Sequence, residues 1–408
     1  MGSPYYFDKI TSLRKNNSGK AYKLEHDNAE KLFFGKETAE VSPTKLDNYF
    51  KCPFMYYCNY GLRLYKESKM EINGMNKGIM VHSVLENAID TSSGDPAQAK
   101  KKFLDMKDDD ITALIDRCFD EYYNNDFGGD FGKNETFAYR FDDMKHQTFN
   151  IVKYVQRELA NSEFAPVVTE FKLTAEEGTN HLDLTLKDGR HIVLIGTIDR
   201  ADIYENEDGE KFVRIIDYKF RKKVSFSLAD LYCGLGLQML VYLSILLETG
   251  NPVNPDGDLK QAGVFYLKLT DDREELSEDC ELSEDVLYSA ACESAINAFS
   301  RKGKISGGSE VNKVLDHTIN GSALSRMTME DPKFTAMRIF AKRKVIEYGD
   351  RLLDGDIDAK PLENVCRNCD YSGICGRAYP DDVISGDDKK MEQILDEIVK
   401  EISGKEEE

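Results

Sequence analysis

Two runs in the middle of the chain, "LIGTIDRADIYE" (194–205) and "VRIIDYKF" (213–220), decide how the rest of it is read. Both are apolar and β-branched, the texture of buried strands. Yet the first carries Asp199, Arg200 and Asp202, and the second carries Asp217 and Lys219. A charge in a core strand is costly unless it is paired or holds a metal. Asp217 and Lys219 are two residues apart, so on a strand their side chains share a face. Carboxylates at the ends of adjacent strands suit a hard cation such as Mg²⁺ or Mn²⁺, which polarises a phosphate and activates a water. A Lys beside that water can orient it. The competing reading is an exposed ion pair on an edge strand, with Asp199 and Arg200 in a turn.

The flanking sequence supports an α/β protein. Upstream, helices are expected at 42–64, opened by Ser-Pro, and at 76–90, 111–125 and 137–161. Strands follow at 167–173, 181–187, 191–205 and 212–219, separated by turn formers such as "KDGR" and "ENEDGE". One long buried helix is expected over 227–250, a strand over 262–269, and helices near 283–301 and 331–351. The order gives a mixed sheet flanked by helices. Residues 1–40 read as a lead-in, 41–378 as the functional domain, and 379–408 as an acidic tail: 381–408 has 11 Asp/Glu against 4 Lys.

The net charge of −20 sets an unfavourable long-range field for nucleic acid, so such a ligand would need a local basic rim or delivery by a partner. Arg200 and the "RKK" run containing Arg221 and Lys222 are candidates for that rim. No apolar run approaches the ~20 residues of a membrane span, and the start has no secretory h-region. Nine cysteines, an odd count, fit a reducing cytosol better than a disulfide scaffold. Three of them cluster as Cys366-x2-Cys369-x5-Cys375, which reads as a metal knuckle lacking one ligand. Cys52, in "KCPF", is the candidate fourth, with Cys58 the alternative. The site would hold zinc or an iron–sulfur cluster. Cys118, Cys233, Cys280 and Cys292 read as packing residues.

Three isolated signals remain. His82 shares a helix face with Leu85 and Ile89, where a satisfied core histidine is the bland reading. Gln238 and Tyr242 are four apart on an otherwise apolar helix, where a buried amide and phenol would be bonded to backbone. Glu170 is a lone acid in an apolar strand and reads as a buried partner for a basic residue.

In this order, His82, Gly196 to Arg200, Asp217-Tyr218-Lys219, and Gln238 with Tyr242 resemble the RecB-like branch of the PD-(D/E)xK nucleases. The resemblance implies a restriction-endonuclease-like mixed sheet with helical insertions. It implies that His82, Asp199, Asp217 and the carbonyl of Tyr218 hold the divalent metal, that Lys219 serves the attacking water, and that Gln238 and Tyr242 line the site and touch the DNA. One Cys before the nuclease and three after it resemble the iron-staple domain of AddB-type subunits of AddAB helicase–nucleases. That likeness implies a 4Fe–4S cluster on Cys52, Cys366, Cys369 and Cys375, single-stranded DNA as substrate, a role in double-strand-break repair, and an AddA-type helicase partner. No phosphate-binding GxxxxGK[ST] motif occurs, and the opening "MGS" looks like an added leader. The expectation is therefore an excised C-terminal domain. The alternatives are a stand-alone iron–sulfur nuclease like those of CRISPR adaptation, a DNA-gripping module that does not cut, and a zinc-stabilised structural protein.

Overall fold

The structure, a computed structural model, describes residues 22–34, 38–64, 74–126, 135–175, 182–220, 224–249, 253–254, 258–269, 300–307, 311, 321–375 and 383–406. From the N-terminus, α1 (His26–Phe33) and β1 (Thr38–Val41) lead to α2 (Pro43–Lys51). Ser42 caps α2, its hydroxyl accepting the Lys45 N–H at 3.4 Å, and Pro43 occupies the first turn as the sequence predicts. The helix predicted to run to residue 64 breaks at Cys52, which ends α2 and starts α3 (Pro53–Tyr56); a π-turn, Tyr57–Gly61, follows. Four helices then form a layer: α4 (Gly74–Ala88), α5 (Pro96–Leu104), α6 (Asp108–Asp126) and α7 (Glu135–Ala160).

Strands β2 (Ala165–Leu173), β3 (Asp183–Thr185), β4 (His191–Leu194), β5 (Gly196–Glu205) and β6 (Lys211–Lys219) come next. The stretch 191–205, predicted as one strand, is two strands in two sheets. Ile195 leaves β4 with its N–H bonded to the Val41 carbonyl at 3.0 Å, and the chain enters the main sheet at Gly196. The predicted helix over 227–250 also divides, into α8 (Leu228–Tyr232) and α9 (Gln238–Thr249), because Gly234 and Gly236 between them take φ of +82° and +66°. Beyond lie β7 (Leu259–Lys268), β8 (Ser300–Ser306), α10 (Gly321–Met327), β9 (Thr328–Met329), α11 (Asp331–Leu353), the one-turn α12 (Ser372–Cys375) and α13 (Asp388–Glu406). The helix predicted near 283–301 falls outside the described residues up to 299, and its last two residues belong to β8.

The main sheet has the order β2-β5-β6-β7-β8-β9 and is mixed; β1, β4 and β3 form a small second sheet. Strands β6 and β7 are parallel, so the chain between them must cross over, and α8 and α9 make that crossing. In α9, Met239, Leu240, Val241, Leu243, Ile245 and Leu246 are all buried, which is why this helix is apolar all round. The sheet carries a core on each face. Along β6, Val213 and Ile215 join the core under α9, whereas Phe212, Ile216 and Tyr218 join the core under α4–α7. A strand buried on both sides reads as a continuous apolar run.

Both ends of the described chain are built into this fold. The N-terminal segment contributes Ala29 to the buried interior and pairs β1 in parallel with β4, so the described residues 22–34 and 38–41 pack on the rest of the fold. The acidic C-terminal helix buries Met391, Leu395 and Ile398, and its Asp396 and Glu401 pair with Lys333 and Arg343 on α11 at 2.9 and 2.5 Å. Among the described residues no helix is long and apolar enough to cross a membrane.

Candidate active site

Strands β5 and β6 run antiparallel with Arg200 opposite Ile216 and Asp202 opposite Arg214. Continuing that register sets Asp199 opposite Asp217, both on one face. The Asp199 carboxylate accepts the backbone N–H of Tyr218 at 2.7 Å, fastening one strand's acid to the other strand. Strand β6 lies between β5 and β7, and Asp217 is 4% exposed, so the edge-strand reading of the Asp-x-Lys pair does not hold. Lys219 Nζ stands 2.5 Å from Asp217 Oδ2 and 5.6 Å above the Tyr266 ring.

Helix α4 brings His82 to this point. Its Nδ1 lies 2.7 Å from Glu170 Oε1, and its Nε2 lies 3.7 Å from Asp199 Oδ2. The donor atoms of His82, Glu170 and Asp199 fall within 4.8 Å of one another. Glu170 is the residue whose place the sequence did not show. Its basic partner is His82, and it takes that position through a left-handed backbone, φ +45°, which is uncommon for Glu and is the kind of strain found at functional sites.

Burial, then the neighbouring Asp217 carboxylate, pushes Asp199 up from 3.8 to about 7. Burial pulls His82 down, but the Glu170 hydrogen bond and the Asp199 charge outweigh it and raise it above 6.5. An imidazole and converging carboxylates, with one acid destabilised as an anion, form a donor set that fits a hard divalent cation. Such a cation must displace the protons that these groups hold. Mn²⁺ affinity is therefore expected to fall at least tenfold per pH unit below about 7, where Asp199 takes up its proton. The metal-free chain should gain stability from Asp199 as pH falls through 7, because the folded state then binds a proton that the unfolded state, at 3.8, does not. Titration calorimetry across pH 5.5–8 checks the first expectation and thermal melts check the second.

The helix pair divides its work. Gln238, the first residue of α9, lines a cleft beside Lys219. Tyr242 is 2% exposed, and burial, then the Asp199 and Asp217 charges, raise its phenol well above its ordinary value. It sits so close to Gly196 that a Cβ there would lie 2.0 Å from the phenol oxygen, so only glycine fits at the entry to β5. Tyr242 thus packs under the start of the Asp199 strand, and its burial leaves the ring little surface to offer a DNA strand.

The expectation for Arg200 is corrected. It is fully buried, as are Glu158, Asp202 and Arg214. Arg200 meets Glu158 at 2.6 Å and Asp202 at 2.9 Å; Arg214 meets the same two acids, each at 2.8 Å. Two cations and two anions neutralise each other on the face opposite Asp199 and Asp217, and no part of Arg200 reaches solvent. Arg221 and Lys222 lie outside the described residues.

The four predicted cysteines converge. Cys52, Cys366, Cys369 and Cys375 line one cavity of about 330 Å³. The arms are held together by backbone: Leu362 N–H bonds the Lys51 carbonyl at 2.9 Å, and Tyr22 donates its hydroxyl to the Cys375 carbonyl at 3.0 Å. Burial, then Cys375 and Cys366 nearby, raises the Cys52 thiol to about 11. Burial, then Cys375 and Cys369, does the same to Cys58, also to about 11, so Cys58 stands close behind without lining the cavity. Four converging thiols are a donor set for zinc or for an iron–sulfur cluster. If these thiols hold an iron–sulfur cluster, Cys369→Ser is expected to lose iron and to lower stability by on the order of 6 kcal/mol, since the link closes a loop of some three hundred residues. Iron analysis and urea denaturation check both.

A mixed sheet with paired acids on its central strands, flanked by helices on both faces, defines a restriction-endonuclease-like α/β protein. The chain belongs to the PD-(D/E)XK nuclease superfamily, whose profile matches residues 40–376. It is similar to bacterial proteins whose names make them the B-type component of an ATP-dependent helicase/deoxyribonuclease. That of Caldanaerobacter subterraneus subsp. tengcongensis is 26% identical over 396 residues, 91% of this chain and 33% of the relative. That of Clostridium novyi is 28% identical over 377 residues, 86% of this chain and 31% of the relative. That of Clostridioides difficile is 25% identical over 383 residues, 88% and 31%. The chain thus spans about a third of the length of the curated relatives it matches.

Proposed function

We propose that this chain is a divalent-metal-dependent deoxyribonuclease that hydrolyses single-stranded DNA, working as an exonuclease in double-strand-break repair. The observation that carries the reading is the convergence of His82, Glu170, Asp199, Asp217 and Lys219 at the ends of two central strands. In this reading residues 41–378 are the nuclease domain, preceded by an N-terminal lead-in and followed by an acidic C-terminal helix. His82, Asp199, Asp217 and the Tyr218 carbonyl would hold Mg²⁺ or Mn²⁺. The ion supplies the Lewis acid that polarises the phosphate and acidifies a bound water.

The chain's own residues do the rest. Asp217 holds Lys219 in place, so the ammonium can donate to the attacking water and to a phosphate oxygen. Glu170 holds Nδ1 of His82, which fixes the ring and leaves Nε2 toward Asp199 as a ligand. Gln238 and Tyr242 line the site, and Gln238 contacts the strand. The four cysteines would carry a 4Fe–4S cluster that staples α2 to the C-terminal segment, in a reducing cytoplasm. The names of the relatives support a helicase–nuclease assembly with an AddA-type partner that feeds the strand, which would also offset the unfavourable net charge of −20.

The test is an assay on end-labelled single strands. Cleavage is expected with Mg²⁺ or Mn²⁺, none with chelator, and none for Asp217→Ala in any metal. Cutting by Asp217→Ala at the parent's rate would overturn the assignment.

A further inference from the structure

A cleft of about 390 Å³ opens beside the carboxylates, with Lys219 and Gln238 at its inner end. His82, Glu170 and Asp199 are not among its walls, so it leads away from the metal donors. One wall is the face of α2 that carries Thr44, Asp47 and Lys51, three and four residues apart. The other is the segment Val224–Ser227 with the half-buried Phe226, and Tyr266 of β7 closes the floor.

The break between α8 and α9 makes this space. A Cβ at Gly234 would lie 2.6 Å from the Phe50 ring of α2, so glycine lets α2 press against the turn. Gly236, at φ +66°, donates its N–H to Asp47 at 3.2 Å. That bond ties the wall to the turn and turns one oxygen of Asp47 away from the cleft's lysines. Lys51 makes no ion pair among the described residues. The cleft is lined mostly by polar groups, with two aromatic rings, two ammonium groups, Lys51 and Lys219, and two carboxylates, Asp47 and Asp230. Its volume is within the range of small-molecule sites, roughly 300–1,000 Å³. Aromatic faces between lysines are what single strands are gripped by: bases stack on rings and phosphates meet cations.

We propose that this cleft is a nucleotide subsite, which seats the DNA residue next to the scissile phosphate with its base against Phe226 and its phosphate at Lys51. The inference rests on the nuclease reading, because a strand lying in the cleft would run directly past Lys219. It gives the Gly-x-Gly turn, which the sequence reads only as part of a helix, a function: holding the walls apart.

The full chain with Asp217→Ala, in Mn²⁺, is titrated with a fluorescent single-stranded oligonucleotide, and the same chain further carrying Lys51→Ala or Phe226→Ala is compared. Each added change is expected to weaken binding about tenfold. Lys51→Ala should also lower the salt slope by about 0.7, one phosphate contact on a single strand. In the cutting-competent background each should raise KM about tenfold. Melting temperature and iron content, measured for both variants, separate loss of the subsite from loss of the fold. If the parent cuts while both variants, folded, bind and cut like it, the subsite is overturned and the nuclease reading stands. If the parent neither binds nor cuts DNA with Mn²⁺ present, the nuclease reading itself falls, and the subsite with it.

Discussion

Asp217→Asn will lose cleavage by on the order of 10³-fold and, in chelator, will melt at a higher temperature than the parent. The two halves of this expectation come from one arrangement. Asp199 and Asp217 face each other across β5 and β6, and Asp217 is 4% exposed. After burial, Asp217 is the largest cause that raises Asp199 to about 7. Near neutral pH without metal the folded chain therefore carries unfavourable carboxylate repulsion that a cation would relieve. Replacing Asp217 by its neutral isostere removes the repulsion and lets Asp199 ionise closer to its ordinary range. It also removes the metal ligand and the partner that holds Lys219 at 2.5 Å. A residue that served only the fold would lose stability on replacement; one that serves a cation loses activity and gains apo stability. Parallel melts in chelator and in Mn²⁺ measure this: Mn²⁺ should raise the parent's melting temperature and leave that of Asp217→Asn nearly unmoved. An Asp217→Asn chain that cuts normally, or that is destabilised in chelator, would show that the pair does not hold a metal.

Much of this site is legible in the sequence because strand periodicity is short-range and strict. Asp217 and Lys219 must share a face once β6 is a strand, and Asp199 must sit near them once "LIGTIDR" pairs with it. The cysteines are legible for a different reason: residues at 52 and 366–375 have little cause to be thiols unless the chain brings them together. Three features were not legible. The helix break at Gly234 and Gly236 lies inside a run whose apolar pattern is helical on both sides, and positive φ leaves no mark on hydrophobic periodicity. The sheet change at Ile195 is set by β1, a partner distant in sequence. The position of Glu170 depends on a backbone conformation that Glu rarely adopts. Each is decided by tertiary contact, which overrides local propensity.

Arg200 shows the same limit with the largest energetic consequence. Next to Asp199 in the sequence, it looks like an arm for DNA; on a strand, that adjacency sends it to the opposite face. There Glu158 and Asp202 grip it at 2.6 and 2.9 Å, with no exposure to solvent. Burial alone disfavours its charge, but Asp202 and then Glu158 more than compensate, so the guanidinium stays ionised. Removing one member leaves a buried charge without its counterion, which costs about 3–5 kcal/mol. Arg200→Met is therefore expected to lower unfolding stability by that amount in urea denaturation. The damage will reach the site through Tyr218, whose hydroxyl lies 3.4 Å from Arg200 and whose N–H holds Asp199. Because Arg200 is no part of the DNA surface, the salt slope of oligonucleotide binding should match the parent's at temperatures where the variant is folded. A stable Arg200→Met chain with a reduced salt slope would return Arg200 to the DNA. Replacing Glu158, Arg200, Asp202 and Arg214 together by apolar residues of similar volume should cost far less than the single change, since no charge is then left alone. That contrast would show that the four groups act as one neutral unit whose role is to fix β5 against β6, and so to keep Asp199 across from Asp217.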